Sequence, residues 1–254
     1  MKAMVLAAGL GTRLRPLTND RPKALVEING RTLLEITLTR LRDFGVTAVI
    51  VNVHHFADMI ADYLAAQQNF GMNIAISRED ELLLDTGGGL KKAAWFFLEG
   101  ATDEPFLLHN VDILSAIDLH AMVRFHREQR ALSTLAVQQR PSSRQLLFDE
   151  RGLLCGRRFE REDRTELVRS AEPLVPLAFC GIHVISPRML NKISEDGAFS
   201  IIDSYLRLAG EGEKIVAYRA DGAYWRDLGT IESLERAAIE LSHPTRHAPH
   251  DSHA

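Results

Sequence analysis

The chain has 254 residues, 46% of them hydrophobic and 25% charged, which supplies a packed core and argues against a disordered polymer. Thirty Lys and Arg stand against thirty-four Asp and Glu, a formal charge of −4. That balance argues against a dedicated nucleic-acid binder, which carries a basic surplus, but leaves room for a local basic pocket.

Taken in chain order, residues 4–8 read as a buried strand that runs into a glycine-rich segment, and 32–44 as an amphipathic helix. Residues 49–53 form a second buried strand, 57–67 a second helix and 74–77 a shorter strand. A third helix is expected at 89–98, a strand at 106–109, a helix at 119–129 and an extended segment at 134–137. This alternation predicts an α/β fold, with a mostly parallel sheet covered by helices on both faces. Such sheets present ligands beyond the carboxyl ends of their strands.

Pro141-Ser142-Ser143 interrupts the alternation. Residues 146–148 and 153–155 flank Asp149-Glu150-Arg151-Gly152, a turn-forming centre that predicts a hairpin. Residues 157–169 are dense in charge and poor in apolar side chains, the pattern of a mobile surface loop. A strand at 177–185, a helix at 200–209, extended segments at 215–218 and 225–228, and a helix at 231–241 complete the reading. No repeat and no shift in composition marks a second core, so residues 1–241 read as a single domain. Residues 242–254 carry His243, His247, His250 and His253 with two prolines, a frayed tail whose spacing matches no standard metal-ligand pattern.

No apolar run approaches the ~20 residues of a membrane-spanning helix. The opening apolar stretch is also too short for a secretory signal. Cys155 and Cys180 make neither a disulfide framework nor a zinc motif, so a reducing, cytoplasmic location is expected. Cys180 reads as a small buried apolar residue, Trp95, Phe96 and Phe97 as core packing, and His54 and His55 as packing or surface residues near the ligand edge.

Chemistry concentrates where the first strand ends. Leu6-Ala7-Ala8-Gly9-Leu10-Gly11-Thr12-Arg13 combines small residues with glycines, so the backbone can approach a ligand closely and turn N–H groups toward phosphate oxygens. Glycines alone after a strand make a tight turn. Arg13 and Lys23 in the same proline-punctuated segment add a planar fork and a point charge suited to phosphate. The Gly-Lys-Ser/Thr ending of a Walker loop is absent, and Leu14 stands where a dinucleotide fingerprint needs its last glycine. Asp85-Thr86-Gly87-Gly88-Gly89 opens a predicted helix, equally a simple helix start and a place for a flat base or sugar. Asp112 follows the 106–109 strand and Asp227 precedes the last helix. A lone Asp there usually caps or turns. Two such aspartates beside a phosphate-cradling loop suit Mg²⁺, which takes one or two carboxylates and completes its shell with phosphates.

At these residues the chain resembles the sugar-1-phosphate nucleotidylyltransferases, or NDP-sugar pyrophosphorylases. Their signature G-x-G-T-R, then P-L-T, then P-K, stands here as Gly9-Leu10-Gly11-Thr12-Arg13, Pro16-Leu17-Thr18 and Pro22-Lys23. The likeness runs from residue 1 to about 240. The Thr86-Gly87-Gly88-Gly89 segment and the Trp225…Asp227-Leu228-Gly229-Thr230 close look most like the N-acetylmuramate 1-phosphate uridylyltransferase branch.

The resemblance implies a Rossmann-like α/β domain of the nucleotide-diphospho-sugar transferase type. It implies Arg13 and Lys23 as the groups gripping the reacting phosphates. Leu6, Ala7, Ala8, Gly9, Gly11, Thr12, Glu81 and Gly88 would line the nucleotide, Asn110 and Gly181 the sugar, and Asp112 and Asp227 would hold Mg²⁺. UTP and a sugar 1-phosphate would be the small-molecule partners, with no nucleic acid and no membrane, in a monomer or homodimer. Two features depart from the family: Val111 stands where many relatives have glycine, and the lysine that larger relatives place on the sugar phosphate has no counterpart, leaving Arg158, Arg161 or Arg164 as substitutes. Competing readings are a relative loading CTP or GTP onto another phosphorylated acceptor, a non-catalytic sugar-nucleotide-binding regulator, and a dinucleotide oxidoreductase.

Overall fold

The computed structural model describes residues 1–100 and 103–242. In chain order its elements are β1 (Lys2–Leu6), β2 (Glu27–Ile28), β3 (Arg31–Thr32), α1 (Leu33–Asp43), β4 (Ala48–Val53), α2 (Ala57–Ala66) and β5 (Asn73–Arg78). Next come α3 (Asp85–Lys92), α4 (Ala94–Leu98), β6 (Phe106–Asn110), β7 (Ile113–Ser115), α5 (Leu119–Gln129), β8 (Ser133–Gln138), β9 (Arg144–Phe148) and β10 (Leu154–Phe159). The chain closes with β11 (Arg164–Leu167), β12 (Val175–Ile185), α6 (Ile201–Gly210), β13 (Ile215–Arg219), β14 (Trp225–Asp227) and α7 (Ile231–Ser242). The described residues form two compact units: those of Met1–Leu83, His109–Asp118 and from Gly222 onward make the first, and those of Leu84–Leu108 with Leu119–Asp221 the second.

In the first unit β1 and β5 both run parallel to β4, with Met4 opposite Ile50 and Ile50 opposite Ala75. Central strands of a parallel layer are covered on both faces, which is why Ala48-Val49-Ile50-Val51-Asn52-Val53 is an almost unbroken apolar run, buried from Val49 onward. Thr32 caps α1: its hydroxyl accepts from Glu35 N at 3.0 Å, and a side-chain acceptor there satisfies one of the helix's orphan N–H groups. The helix then buries Leu34, Leu38 and Leu41 on one stripe. A short ribbon pairs β14 antiparallel to β7, with Asp227 opposite Ile113 and Trp225 opposite Ser115.

In the second unit β8 pairs with β12 antiparallel and with β13 parallel. β9 joins β12 and β10 in antiparallel fashion, and β10 carries β11 on its other side. The rings of Phe97 and Phe106 stack 3.8 Å apart and anchor the unit's core. Both cysteines are buried, and loss of solvation pushes the Cys180 thiol up to about 12, an unreactive state.

The α/β class is the one the periodicity implies, and the hairpin around Asp149–Gly152 forms, closed by Gly152 N donating to Asp149 O at 2.9 Å. Four expectations change. The span 157–169 is not a loop: it is the end of β10, a single 3-10 turn and β11. Apolar burial is scarce there, so polar contacts replace it: Arg157 bonds Glu166 at 2.8 Å and Asp203 at 2.6 Å, and the Arg157 and Arg164 guanidiniums lie over the Phe159 ring. The expected third helix begins earlier, at Asp85, and breaks at Ala93 into α3 and α4. Its glycines sit inside α3, where a Cβ at Gly87 would stand 2.3 Å from the Phe199 ring and one at Gly88 2.4 Å from Gly197 O; they are small because neighbours pack against the helix. Trp95 is exposed, while Phe96 and Phe97 pack inward. The last helix runs on to Ser242, and the histidine tail at 243–254 lies outside the described residues. Among the described residues no helix is long and apolar enough to cross a membrane.

Candidate active site

The site is built where β1 leaves the first unit's parallel layer. Leu6 O accepts from Val111 N at 3.1 Å, and Ala7 N donates to Asn52 Oδ1 at 2.8 Å. Asn52 Nδ2 donates in turn to Glu79 Oε1 at 2.7 Å, and both residues are buried. Polar groups removed from water need such partners. The chain Ala7–Asn52–Glu79 therefore fixes the bend from strand into loop. Ala7 and Ala8 are buried there, Gly9 and Thr12 are exposed, and a Cβ at Gly9 would meet nothing.

Gly11 makes the second bend. Its φ of +63° lies in the left-handed region, which costs a non-glycine residue about 1–2 kcal/mol. A Cβ on it would also stand 3.0 Å from both Lys23 Cβ and Thr18 Cγ2. Thr18 Oγ1 and Leu14 N both donate to Gly11 O at 2.9 Å. The glycine thus lets the loop fold back on the segment that carries Lys23.

Lys23 is only 8% exposed. A lysine so far from water needs an opposite charge, and Nζ finds it in Asp112 Oδ2. Asp112 occupies the turn between β6 and β7, and its carbonyl accepts from Leu228 N at 2.8 Å. That bond, with the β7–β14 ribbon, sets the backbones of Asp112 and Asp227 side by side although the two residues are remote in the chain. Asp227 Oδ1 accepts from Gly229 N at 2.6 Å. A Cβ at Gly229 would stand 2.5 Å from Arg13 Nη2 and 2.6 Å from Asp227 Oδ1; the absent side chain leaves room for guanidinium and carboxylate to flank that residue. The first unit accordingly gathers Arg13, Lys23, Asp112 and Asp227, two cations and two carboxylates.

Behind this group lies Arg40 of α1, which donates to Ser115 Oγ and Ile117 O, each at 2.6 Å, and meets His109 Nε2 at 3.2 Å. Loss of solvation lowers its guanidinium to about 10. Burial, followed by the Arg40 charge, drives His109 down to about 3. A neutral imidazole whose Nε2 accepts from Arg40 carries its proton on Nδ1, which then donates to Asn110 O at 2.7 Å. Arg40 and His109 thereby splint residues 109–117, the stretch that contains Asp112.

Among the described residues no three His, Cys, Asp or Glu side chains cluster to hold a metal. Asn110 Oδ1 is buried with no hydrogen-bond partner, an oxygen available to a ligand. Glu81 is an exposed residue of the first unit. Gly88 lies within α3, and Gly181 takes a φ of +71° in β12, where the register with β8 shifts. Of the arginines weighed for the sugar phosphate, Arg158 and Arg161 are exposed, and Arg164 bonds Glu162 at 3.2 Å. Sequence reasoning did not single out Asn52, Glu79, Arg40 or His109. A signal existed for Asn52, a polar residue in a strand otherwise apolar throughout.

Comparison with known proteins gives concordant matches. Residues 2–146 match the family described as nucleotidyl transferase. An N-acetylmuramate alpha-1-phosphate uridylyltransferase of Caulobacter vibrioides is 36% identical over 94% of this chain and 96% of its own length. Another of that name, from Neisseria meningitidis serogroup B, is 30% identical over 93% of this chain and 96% of its own. The crystal structure of HddC from Yersinia pseudotuberculosis, complexed with GMP-PN, superposes with a TM-score of 0.73 at 21% identity, covering 94% of this chain and 99% of that one. That last likeness is one of fold.

Proposed function

This chain belongs to the nucleotidyl transferase family, with the sugar-1-phosphate nucleotidylyltransferases, and from that premise we propose that it transfers a uridylyl group from UTP to a sugar 1-phosphate, releasing pyrophosphate with the help of Mg²⁺. The observation that carries the reading is the gathering of Arg13, Lys23, Asp112 and Asp227 in one unit, around two glycines that leave space for them. Uridylyl as the transferred group, and an N-acetylated hexose 1-phosphate as the acceptor, take their support from the names of the two relatives.

The acceptor phosphate is already an anion at neutral pH, so its oxygen attacks the α-phosphorus without a general base. The new bond is from that oxygen to the α-phosphorus, and the bond broken joins the α-phosphorus to the oxygen leading to the β-phosphate; the electron pair leaves with pyrophosphate. The obstacle is the approach of two anions. Arg13 offers a planar fork to the departing pyrophosphate and Lys23 a point charge to the reacting phosphates, in a place preorganised before substrate arrives. Lys23 is compensated by Asp112, and an incoming phosphate competes for that lysine. Two carboxylates, with the buried, unpartnered amide oxygen of Asn110 two residues before Asp112 in the chain, are hard-oxygen donors of the kind Mg²⁺ takes. Asp112 and Asp227 would hold the ion, which supplies charge neutralisation to the phosphates.

The test is pyrophosphate release with each of the four common nucleoside triphosphates against a panel of sugar 1-phosphates, with Mg²⁺ and with a chelator. UTP with an N-acetylated hexose 1-phosphate is expected to be fastest, and chelation to stop it. Release that prefers GTP or CTP overturns the base assignment, and no release with any pair overturns the reading.

A further inference from the structure

Within the second unit, the carboxyl-terminal end of α5 faces the turn at Pro187–Lys192 across an open cleft of about 370 Å³. Its lining includes Asp103, His126, Arg127, Arg130, Ser186 and Arg188. None of these belongs to the group around Lys23, and the proposed reaction uses none of them.

The charges in the cleft do not balance. Arg127 meets its nearest carboxylate, Glu104, at 3.8 Å, beyond hydrogen-bond reach. Arg188 Nη2 donates to a neutral group, Arg130 O, at 3.0 Å. Among the described residues no carboxylate pairs with Arg130 or Arg188. Cations do collect at helix carboxyl ends, but the macrodipole there amounts to only ~0.5 of a negative charge. Asp103 and Glu104 add two more. Three guanidiniums still exceed that sum, by about half a charge, in a chain whose overall charge is −4.

The floor is polar and fully bonded. Ser186 Oγ donates to Ala131 O at 2.8 Å, and His126 lies 3.1 Å from Ser186 Oγ and 2.9 Å from Thr134 Oγ1. Since Ser186 spends its proton on Ala131, His126 Nε2 donates to it and Thr134 donates to Nδ1. The histidine is thus satisfied and neutral, and the excess charge is that of the arginines.

We propose that this cleft is a second anion site, taking a phosphate-bearing small molecule through Arg127, Arg130 and Arg188. Guanidinium forks match phosphate oxygens in pairs, and the volume falls within the ~300–1,000 Å³ of small-molecule pockets. The phosphate has two sources, a free inorganic anion such as pyrophosphate or the diphosphate of a nucleotide.

Calorimetric titration decides the matter. Inorganic pyrophosphate and UDP are each titrated into the parent chain, into Arg13→Ala, and into the double variant Arg127→Gln, Arg130→Gln, which preserves the Arg188 bond to the Arg130 backbone. The expected result is a binding event that survives Arg13→Ala and weakens roughly 10-fold or more in the double variant. Arg127→Lys, Arg130→Lys keeps the charge but not the paired donors, and is expected to retain more affinity than the glutamine pair and less than the parent, which separates charge from altered folding. Tighter binding of pyrophosphate assigns the site to the free anion, and tighter binding of UDP to the nucleotide. Isotherms unchanged by the glutamine pair, or no event left after Arg13→Ala, overturn the proposal.

Discussion

Lys23 and Asp112 lie 89 residues apart in the chain and meet as an ion pair inside the first unit, with the lysine side chain 10% exposed and the aspartate 19%. The pair joins the loop that follows β1 to the turn that follows β6, and so ties the basic segment to the acidic one before any substrate binds.

Asp112→Asn removes the charge that compensates Lys23 and one anionic ligand of the proposed Mg²⁺. Turnover is expected to fall by about 10²–10⁴, and stability by about 1–3 kcal/mol because a lysine is left without its counter-charge. Steady-state pyrophosphate release and urea unfolding measure the two effects. Parental turnover in the purified variant would remove Asp112 from the chemistry.

Gly229→Ala places a methyl group against Arg13 Nη2 and Asp227 Oδ1. The guanidinium is the end of a flexible side chain and can swing away, so the fold should hold while the geometry is lost. We expect a fall in turnover of roughly 10–100-fold, with a melting temperature close to the parent's. Unchanged kinetics would show that Arg13 does not need its place beside Asp227.

Gly11→Ala is the opposite case. The left-handed φ is a backbone constraint, and the two contacts at 3.0 Å are to Lys23 Cβ and to the methyl of Thr18, whose hydroxyl is held by Gly11 O. A loss of about 1–3 kcal/mol is expected, readable as a lower urea midpoint at constant slope. A loss below about 0.5 kcal/mol would show that the loop has another conformation of similar energy.

Acid should destabilise this protein through its buried histidines. Burial pushes His109 down to about 3, and burial with the Arg188 and Arg127 charges pushes His126 down to about 4. A histidine whose folded pKa is depressed binds its proton first in the unfolded chain, so stability falls as pH drops from the unfolded value near 6.5 toward the folded one. Each histidine should contribute roughly 2 kcal/mol of loss between about pH 7 and about pH 5. Denaturation at the two pH values, repeated on His109→Gln, tests the share of His109: the variant's pH dependence should be shallower. Arg40→Met, which removes a positive neighbour, should raise the His109 pKa in an NMR titration; an unmoved titration would sever the link between these two residues.

Much of this protein was determined by the sequence alone. The apolar run at 49–53 reads as a strand covered on both faces, and the amphipathic spacing of 32–44 marks α1. Gly9, Gly11, Arg13 and Lys23 point to the phosphate binding proposed above, since those residue types in one short segment suit an anion. The tertiary structure decided the rest. Periodicity cannot report that residues 157–169 fold as a hairpin, because its stabilising partners, such as Asp203, are distant in the chain. Nor can it report that Gly87 is small to admit Phe199, that Asn52 and Glu79 anchor the loop, or that Arg40 splints the turn carrying Asp112. Local patterns record what each segment does with its own backbone. Which charge meets which is settled by chain crossings that bring remote residues together, and the pairing of Lys23 with Asp112 is of that kind.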